Sequence, residues 1–284
     1  MSKAQQSRIF ETPSEDSLSI ETDGRTIRPA MALLTPLVAE GKLHLTEHGI
    51  KMRCIDAASV GAASITIHPE AFDTYDLDDE LVVGANVSRL KTALRDARMG
   101  TRTNDDVTLE LDESRTLVSI EREYDQTSVE ITDELLALDP DALREEPGLP
   151  GIDQHAQWAT TVDVDALHDV VDHIGADDVD IRERDGDLLL GGRATLEESN
   201  DYESVAVFDS DLEKLNGGTE GVSSRLSMAY LWDVVNALKQ AKVTELTLRW
   251  GDSWPAAFDF KRIEDETTLY EGRFVIAPRI QEGN

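Results

Sequence analysis

Five basic side chains stand close together in a chain that is otherwise strongly acidic. Over residues 86–102 the sequence has Arg89, Lys91, Arg95, Arg98 and Arg102 but only one acid, Asp96. The whole chain has 58 Asp and Glu against 27 Lys and Arg, and its formal charge is −31. A solvated face of such a chain is expected to be acidic. A cationic one therefore predicts that a polyanion lies against it.

The spacing of these basic residues predicts a helix over 86–98 with a stop near Gly100. At 100° per residue, Val87, Leu90, Leu94 and Ala97 fall on one face, which suits packing on a core. Lys91, Arg95 and Arg98 form a neighbouring stripe. Arg89 points elsewhere, and Arg102 lies beyond the expected end of the helix.

Residues that would indicate catalysis are missing. There is no phosphate-binding loop of the Walker type, no glycine-rich dinucleotide loop after a strand, and no nucleophile elbow. Carboxylate clusters at 76–80 and 177–180 resemble two-metal sites, but they are expected by chance in a chain that is one-fifth acid. His44 and His48 lie in a strand and a turn and do not share a helical face. We therefore expect no catalytic residues, no metal and no cofactor.

The composition is typical of proteins from halophiles that accumulate salt. Acids are spread along the whole length, and only eight of the 27 basic residues are Lys. At 1 M salt the Debye length falls to ~3 Å, so a large negative charge is screened. Cys54 is alone, which excludes a disulfide framework. No stretch approaches the ~18 apolar residues of a membrane span, and the polar N-terminus is no signal peptide. We expect a cytoplasmic protein.

The order of predicted elements repeats within the chain. A mobile extension at 1–16 precedes one domain at 17–134, and a proline- and acid-rich linker at 133–153 precedes a second domain at 153–284. The connector itself is assigned to 135–152. Helices are predicted near 25–38, 86–98, 164–174 and 228–241, and Pro36 should kink or end the first. Strands are predicted at 42–46, 50–55, 64–67, 107–111, 117–122, 128–132, 158–162, 179–183, 188–193, 204–208, 245–250, 256–261 and 273–276. The fold class is α+β, with antiparallel sheets and two helices in each domain.

Six short motifs carry a family resemblance. They are GIKMRCIDAASVG at 49–61, FDTY at 72–75, GANV at 84–87, PGLP at 147–150, HIG at 173–175 and APRI at 277–280. Each is weak alone, but they occur in order and with matching gaps over residues 17–281. Together they make the chain similar to the archaeal and eukaryotic sliding clamps of the PCNA family.

The resemblance implies a homotrimeric ring of six similar domains, with sheets outside and helices lining a hole for duplex DNA. The DNA-binding residues implied are Arg25, Arg28, Lys91, Arg95, Arg98, Lys239 and Lys242. The helix at 164–174 departs from the family's basic pattern, because Asp163, Asp165, Asp169 and Asp172 dominate it. DNA contact is therefore expected to be lopsided.

The resemblance also implies two protein interfaces. A hydrophobic pocket under the connector would receive short peptide motifs of polymerase, flap endonuclease and ligase clients, and it is assigned to Ile55, Val60, Pro147, Leu149, Pro255, Val275, Ala277, Pro278 and Ile280. Ring closure would pair two edge strands through Ser128, Val129, Glu130, Ile131, Ser204, Val205, Ala206 and Val207. A clamp loader ATPase is a further implied partner. Acids beside both edges predict that trimer content rises with salt.

The function implied is that of a DNA polymerase processivity factor, which catalyses nothing and tethers its clients to DNA. Two alternatives remain open from the sequence. One is a monomeric clamp-like module that sequesters clients without encircling DNA. The other is a metal-dependent nuclease, which an activity assay with Mg²⁺ and Mn²⁺ would reveal.

Overall fold

The computed structural model describes residues 17–97, 105–149, 152–193 and 204–279. Its four α-helices are α1 (Gly24–Ala32), α2 (Val87–Leu94), α3 (Val164–His173) and α4 (Met228–Gln240). None of the helices in these ranges is long and apolar enough to cross a membrane.

The strands divide into two series of nine. The first comprises β1 (Ser17–Asp23), β2 (Gly41–Thr46), β3 (Gly49–Ile55), β4 (Gly61–Ile67), β5 (Thr74–Leu77), β6 (Leu81–Ala85), β7 (Asp106–Asp112), β8 (Arg115–Tyr124) and β9 (Thr127–Leu136). The second comprises β10 (Trp158–Thr161), β11 (Asp178–Arg184), β12 (Asp187–Arg193), β13 (Ser204–Phe208), β14 (Glu213–Lys214), β15 (Ser223–Ser227), β16 (Glu245–Trp250), β17 (Ala256–Glu264) and β18 (Thr267–Ile276). Each half runs strand, helix, five strands, helix, three strands. The predicted duplicated α+β architecture is confirmed.

Pairing between strands repeats in the same way. The first half forms a five-stranded sheet in the order β5-β1-β7-β8-β9 and a four-stranded sheet β6-β2-β3-β4. The second half forms β14-β10-β16-β17-β18 and β13-β12-β11-β15. All described pairs are antiparallel, and β18 joins β4, with Phe274 opposite Ala63. This join merges one sheet from each half into a single sheet of nine strands.

The helices pack in one row, in the order α2-α1-α4-α3. Apolar residues alternate along the strands, so that Ile50, Met52 and Cys54 of β3 are buried while Lys51 and Arg53 face outward. On α2 the predicted apolar face is confirmed. Val87, Leu90, Leu94 and Ala97 all lie in the core.

Two predicted helix boundaries are wrong. The helix α2 starts after Asn86, whose side chain accepts a hydrogen bond from the Arg89 backbone N–H at 2.8 Å, and it ends at Leu94 rather than 98. Gly100 lies outside the described residues. The helix α1 ends at Ala32 rather than 38. Pro36 follows four residues later, where it has no N–H to donate to the Ala32 carbonyl and its ring would clash with that carbonyl in a continued helix.

The linker and the short strands were also predicted imperfectly. Strand β9 continues to Leu136, so residues 133–136 pair with β8 instead of starting a linker. The connector contains short 3₁₀ turns at Pro140–Ala142 and Ile152–Gln154. Strands β1, β5, β6, β14 and β15 have no counterpart among the predicted ranges. The domain boundaries stay a prediction.

Candidate nucleic-acid and peptide interfaces

Three of the predicted DNA-binding side chains line one cavity in the helix row. Arg28 of α1, Lys91 of α2 and Arg95 at the end of α2 surround a volume of about 480 Å³, which Gln240 at the end of α4 closes. Arg28 and Arg95 are 67 positions apart in the sequence. Packing of α1 on α2 therefore creates a cationic surface that neither helix has alone.

The three cations differ in how they are held. The Arg28 guanidinium donates to the Ala97 carbonyl at 2.9 Å, and the Lys91 ammonium donates to the Thr35 hydroxyl at 3.1 Å. Burial lowers the pKa of Lys91 from its ordinary value. Arg95 is exposed at the helix end. Arg28 and Lys91 are thus fixed in place, whereas Arg95 reaches freely into solvent.

A second cavity, of about 350 Å³, gathers Arg25 and Lys242 beside Arg262. Arg25 is half-exposed and pairs with Asp23 at 3.4 Å. Lys242 is exposed just after α4 and has a φ of 52°. Arg262, on β17, was not predicted, because an arginine near the end of a strand has no distinguishing sequence pattern.

Lys239 stands apart from the other cations. Its ammonium lies 3.6 Å from an Asp165 oxygen and 3.3 Å from an Asp169 oxygen of α3, and 3.1 Å from Nδ1 of His168. The hydrogen bond from Lys239 lowers the pKa of Asp169. The carboxylates of α3 thus neutralise Lys239, one of the predicted DNA-binding cations. Arg98 lies outside the described residues.

An apolar row crosses the outer face of the nine-stranded sheet. Ile55 lies opposite Ala62, Ala62 opposite Val275, and Val275 opposite Ala257, so one residue from each of β3, β4, β18 and β17 contributes. Leu149 of the connector packs on this row. Three of the predicted pocket residues, Ile55, Leu149 and Val275, therefore meet in one cluster.

The remaining described pocket residues are not members of this cluster. The Ala277 backbone N–H donates to the Val60 carbonyl at 2.7 Å, which holds the C-terminal segment against the loop after β3. Pro147, Pro255 and Pro278 are half-buried. Ile280 lies outside the described residues.

The loop after β3 is organised by Asp56. Its carboxylate accepts from the backbone N–H groups of Ala58, Val60 and Gly61 at 2.7–2.9 Å and from the Tyr230 hydroxyl of α4 at 2.6 Å. Burial acts to raise the pKa of Asp56, but these hydrogen bonds, the one from Tyr230 first, outweigh it and lower the pKa. The network ties one wall of the apolar row to a helix of the other half.

The connector is fixed to that same loop by Arg144. Its guanidinium donates to the Asp56 carbonyl and, at 3.0 Å, to the Ser59 hydroxyl. Further along, Asp153 pairs with Arg273 at 3.0 Å. The connector is thus held by ion pairs and hydrogen bonds on both sides of Leu149.

Strands β9 and β13 each have one free edge in the described structure, since β9 pairs only with β8 and β13 only with β12. Both carry exposed aliphatic side chains. Val129 is 42% exposed, Val205 47% and Val207 55%. Ser128 and Glu130 are exposed, and Ile131, Ser204 and Ala206 are half-buried. Unpaired edges with apolar side chains are suited to strand pairing between chains.

Comparison with known proteins identifies the family. The N-terminal domain of proliferating cell nuclear antigen matches residues 23–143. The DNA polymerase sliding clamp of Halobacterium salinarum is 30% identical over 259 residues, which is 90% of this chain and 96% of that protein. The sliding clamp of Natronomonas pharaonis is also 30% identical, over 265 residues with the same coverage. The chain belongs to the PCNA family of DNA polymerase sliding clamps.

Solved PCNA structures have the same fold. Archaeoglobus fulgidus PCNA, in a structure with the C-terminal region of FEN-1 bound, has a TM-score of 0.71 at 20% identity, covering 94% of this chain and 100% of that one. The PCNA2–PCNA3 complex from Sulfolobus tokodaii has a TM-score of 0.73 at 19% identity, covering 92% and 99%. The resemblance drawn from the short motifs is confirmed.

As a sliding clamp, the protein is a non-enzymatic processivity factor that serves DNA polymerase on DNA. The predicted function is confirmed at this level. The residues of this clamp that sequence reasoning missed are Arg262, beside the second cationic cavity, and Arg144, Asp56 and Tyr230, which support the peptide surface. Asp56 stands inside a recognised motif, but its role depends on a residue 174 positions away, which no local pattern signals.

Proposed function

We propose that this clamp closes into a homotrimeric ring through its free edges β9 and β13. The supporting observation is a strand pairing within the chain. The last strand of the second half, β18, pairs with β4 of the first half. In the repeated element order β9 corresponds to β18, and β13 corresponds to β4. The join made within the chain is therefore available a second time, between chains, and a head-to-tail interface of this kind generates a ring.

The internal join also predicts the register between subunits. Val129 pairs with Arg122 of β8 as Tyr270 pairs with Arg262 of β17, each two residues before the last residue of the preceding strand, with Leu269 bulged out of register in β18. Phe208 pairs with Leu188 and Ile67 with Ile50, which are each the second residue of β12 and β3. Val129 therefore takes the place of Tyr270, and Phe208 takes the place of Ile67. Tyr270 lies opposite Ile67. We therefore expect Val129 of one subunit opposite Phe208 of the next, with antiparallel pairing from there along both strands.

Cysteine cross-linking tests this register. With Val129 opposite Phe208, Ile131 faces Ala206, and opposite residues are close enough for a disulfide. The variant Ile131→Cys with Ala206→Cys is expected to give covalent trimers under oxidising conditions at high salt. The matched control, Ile131→Cys with Ser204→Cys, sets the thiols two residues apart, at ~7–8 Å, and should not cross-link.

The mass in solution separates the ring from the alternative module. Light scattering in molar KCl should give three times the mass of the 31.4 kDa chain. A monomer at every salt concentration would favour a clamp-like module that sequesters clients. Cross-linking of the shifted cysteines instead of the opposite ones would show a ring of different register.

We also propose that the helix row lines the hole of the ring and faces duplex DNA. The cations that support this are Arg28, Lys91 and Arg95 around one cavity and Arg25 and Lys242 around the other. Contacts to phosphate carry no sequence information, which suits a protein that slides. Arg98 stays in this proposal on sequence grounds. Lys239 is expected to contribute least, because the acids of α3 already hold it.

The apolar row under Leu149 is proposed to receive peptides of client enzymes. Support comes from the apolar cluster of Ile55, Leu149 and Val275, against which the side chains of a short apolar peptide could pack. The related A. fulgidus PCNA was solved with the C-terminal region of FEN-1 bound. By this proposal flap endonuclease, polymerase and ligase clients share the pocket, together with a clamp loader ATPase. Tethering raises their effective concentration at DNA.

The acidity of the chain is proposed to be an adaptation to high salt. The two 30% identical relatives reported above come from Halobacterium and Natronomonas. At molar salt the charge of −31 is screened within ~3 Å. A ring that holds DNA by topology tolerates such salt better than one that relies on phosphate contacts, whose affinity falls steeply with salt.

A further inference from the structure

A cationic strip lies on the outer face of the nine-stranded sheet, next to the apolar row. Alternate residues face outward, so β2 presents Lys42 and His44 there, and β3 presents Lys51 and Arg53 before Ile55. The other outward residues of the adjoining strands β6 and β4 are Val82, Gly84, Ala62, Ser64 and Thr66. No outward residue of these four described strands is acidic, in a chain with 58 acids.

Three cations of the strip lack an acidic partner. Within the described ranges no ion pair or hydrogen bond joins Lys42, Lys51 or Arg53 to a carboxylate, while His44 contacts Glu146 of the connector at 2.6 Å. Arg53 is exposed, and the two lysines are half-exposed.

Cations on the neighbouring strands of the same face are satisfied. Arg249 lies 2.8 Å from Asp259, and Lys261 lies 3.2 Å from Glu271. Arg273 pairs with Asp259 and Asp153. Among the described residues of this face, the cations without an acidic partner are thus those of β2 and β3, the strand that also carries Ile55.

We infer that this strip, comprising Lys42, Lys51 and Arg53, binds acidic residues that flank the pocket-filling part of a client peptide. The inference rests on the proposed peptide pocket and adds a charge preference to it. With a rise of about 3.4 Å per residue, Arg53 lies ~7 Å and Lys51 ~13 Å along the strand from Ile55. An extended peptide spans these distances with two to four residues.

The shape of the strip favours a peptide over nucleic acid. It occupies two neighbouring strands, about 5 Å apart, and Glu146 of the connector borders it through its contact with His44. Duplex DNA carries one charge per ~1.7 Å of axis over a surface far broader than the strip, so most of its phosphates would lie over uncharged or acidic residues. An extended acidic segment needs only the width of these two strands to reach the three cations.

Fluorescence anisotropy with synthetic peptides tests this preference. The probe is the C-terminal region of A. fulgidus FEN-1, extended at either end by four Glu or by four Gln residues. At low salt the wild-type protein, whose pocket and strip lie within one subunit, should bind one of the Glu-extended peptides roughly 3- to 10-fold more tightly than its Gln counterpart, as expected for two or three exposed ion pairs. This ratio should fall towards one in molar KCl.

Charge reversal on the strip provides the decisive variant. Arg53→Glu combined with Lys51→Glu should abolish the preference for Glu while leaving the Gln peptides within about twofold of wild type. Arg184→Glu, at an exposed arginine of the separate sheet β13-β12-β11-β15, is the control for net charge, compared with Arg53→Glu alone. It should retain the preference.

Several outcomes would contradict the inference. Equal affinity of Glu and Gln peptides for the wild-type protein would overturn it and leave the pocket intact, as would a preference that survives in the strip variant. A loss of duplex DNA affinity in that variant, with the peptide preference unchanged, would assign the strip to nucleic acid. Failure of every peptide to bind would overturn the pocket and the strip together.

Discussion

The cations of the helix row differ in the freedom with which they can meet a phosphate. Arg95 is exposed at the end of α2, whereas Lys91 is half-buried against Thr35, and its lowered pKa reflects that burial. Lys239 already has two carboxylates within 4 Å. A cation that is paired in the free protein must lose those pairs to bind DNA, so its net contribution is small. Equal formal charges thus have unequal value for binding.

Substitution of single cations should reveal this difference. Arg95→Ala is expected to reduce the slope of log affinity against log salt by about 0.9, the loss of one phosphate contact, while Lys239→Ala should leave the slope nearly unchanged. The measurement is binding to short duplex DNA over a KCl series restricted to the salt concentrations at which the protein is an assembled trimer. Light scattering on both variants controls for ring assembly. Equal losses from the two substitutions would show that α3 does not withhold Lys239 from DNA.

At the scale of elements, the wall of the peptide pocket depends on a hydrogen bond between the halves. Tyr230, in the first turn of α4, donates to Asp56, and Asp56 in turn receives three backbone N–H groups of the loop that carries Val60. The carboxylate raises the pKa of Tyr230 to about 12, so the phenol stays protonated. Arg144 adds the connector to the same loop. A helix in the proposed DNA-facing row thus supports the peptide surface.

Removing the phenol hydroxyl should therefore weaken peptide binding. Tyr230→Phe deletes one hydrogen bond to a carboxylate and is expected to lower the free energy of unfolding by about 1.5–3 kcal/mol. It should also reduce the affinity for the FEN-1 peptide. Tyr75→Phe, which deletes a 2.9 Å bond to the Thr46 carbonyl away from the pocket, is the matched control and should not change peptide affinity. Equal peptide affinity in both variants would contradict a supporting role for Tyr230.

The same carboxyl should make the loop sensitive to acid. Because the pKa of Asp56 is lowered in the folded protein, its stabilisation is complete above the unfolded pKa and is lost as the pH falls through the folded value. In Tyr230→Phe the folded pKa is expected to rise. Less of this stabilisation is then present at neutral pH, and what remains is lost at a higher pH than in the wild type.

At the scale of the molecule, charge and edge pairing oppose each other. Glu130 and Asp133 lie on β9, and Asp209 follows β13. In the proposed register Asp209 lies opposite Ser128 and diagonal to Glu130, and Asp133 lies opposite Ser204 at the other end of the pairing. The gain from strand pairing must exceed the repulsion among the acids gathered at this interface. Screening weakens the repulsion and leaves backbone hydrogen bonds and apolar contacts in place.

Trimer content is therefore expected to rise with salt. Light scattering at 0.1 M and 2 M KCl, at the same protein concentration, should show a shift from smaller species to the trimer. Glu130→Gln with Asp133→Asn should move this transition to lower salt. A trimer fraction independent of salt in both proteins would show that these acids do not set the stability of the ring.

Local pattern in the sequence was enough for much of the fold. The period of 3.6 identified the apolar face of α2, and alternation identified β3, because both repeats are imposed by backbone geometry over a few residues. The short motifs identified the family. Boundaries failed where the tertiary structure overruled the pattern, as at Leu94 and Leu136, and short strands with few alternating residues were missed.

What the sequence by itself determined is the family, the duplicated architecture and the existence of a cationic stripe. Tertiary structure decided which cations act together. It placed Arg28 beside Lys91 and Arg95, paired Lys239 with the acids of α3, and joined β18 to β4. These contacts join residues far apart in the chain, and their energies depend on packing, burial and the partners available. A periodic pattern carries no information on such partners.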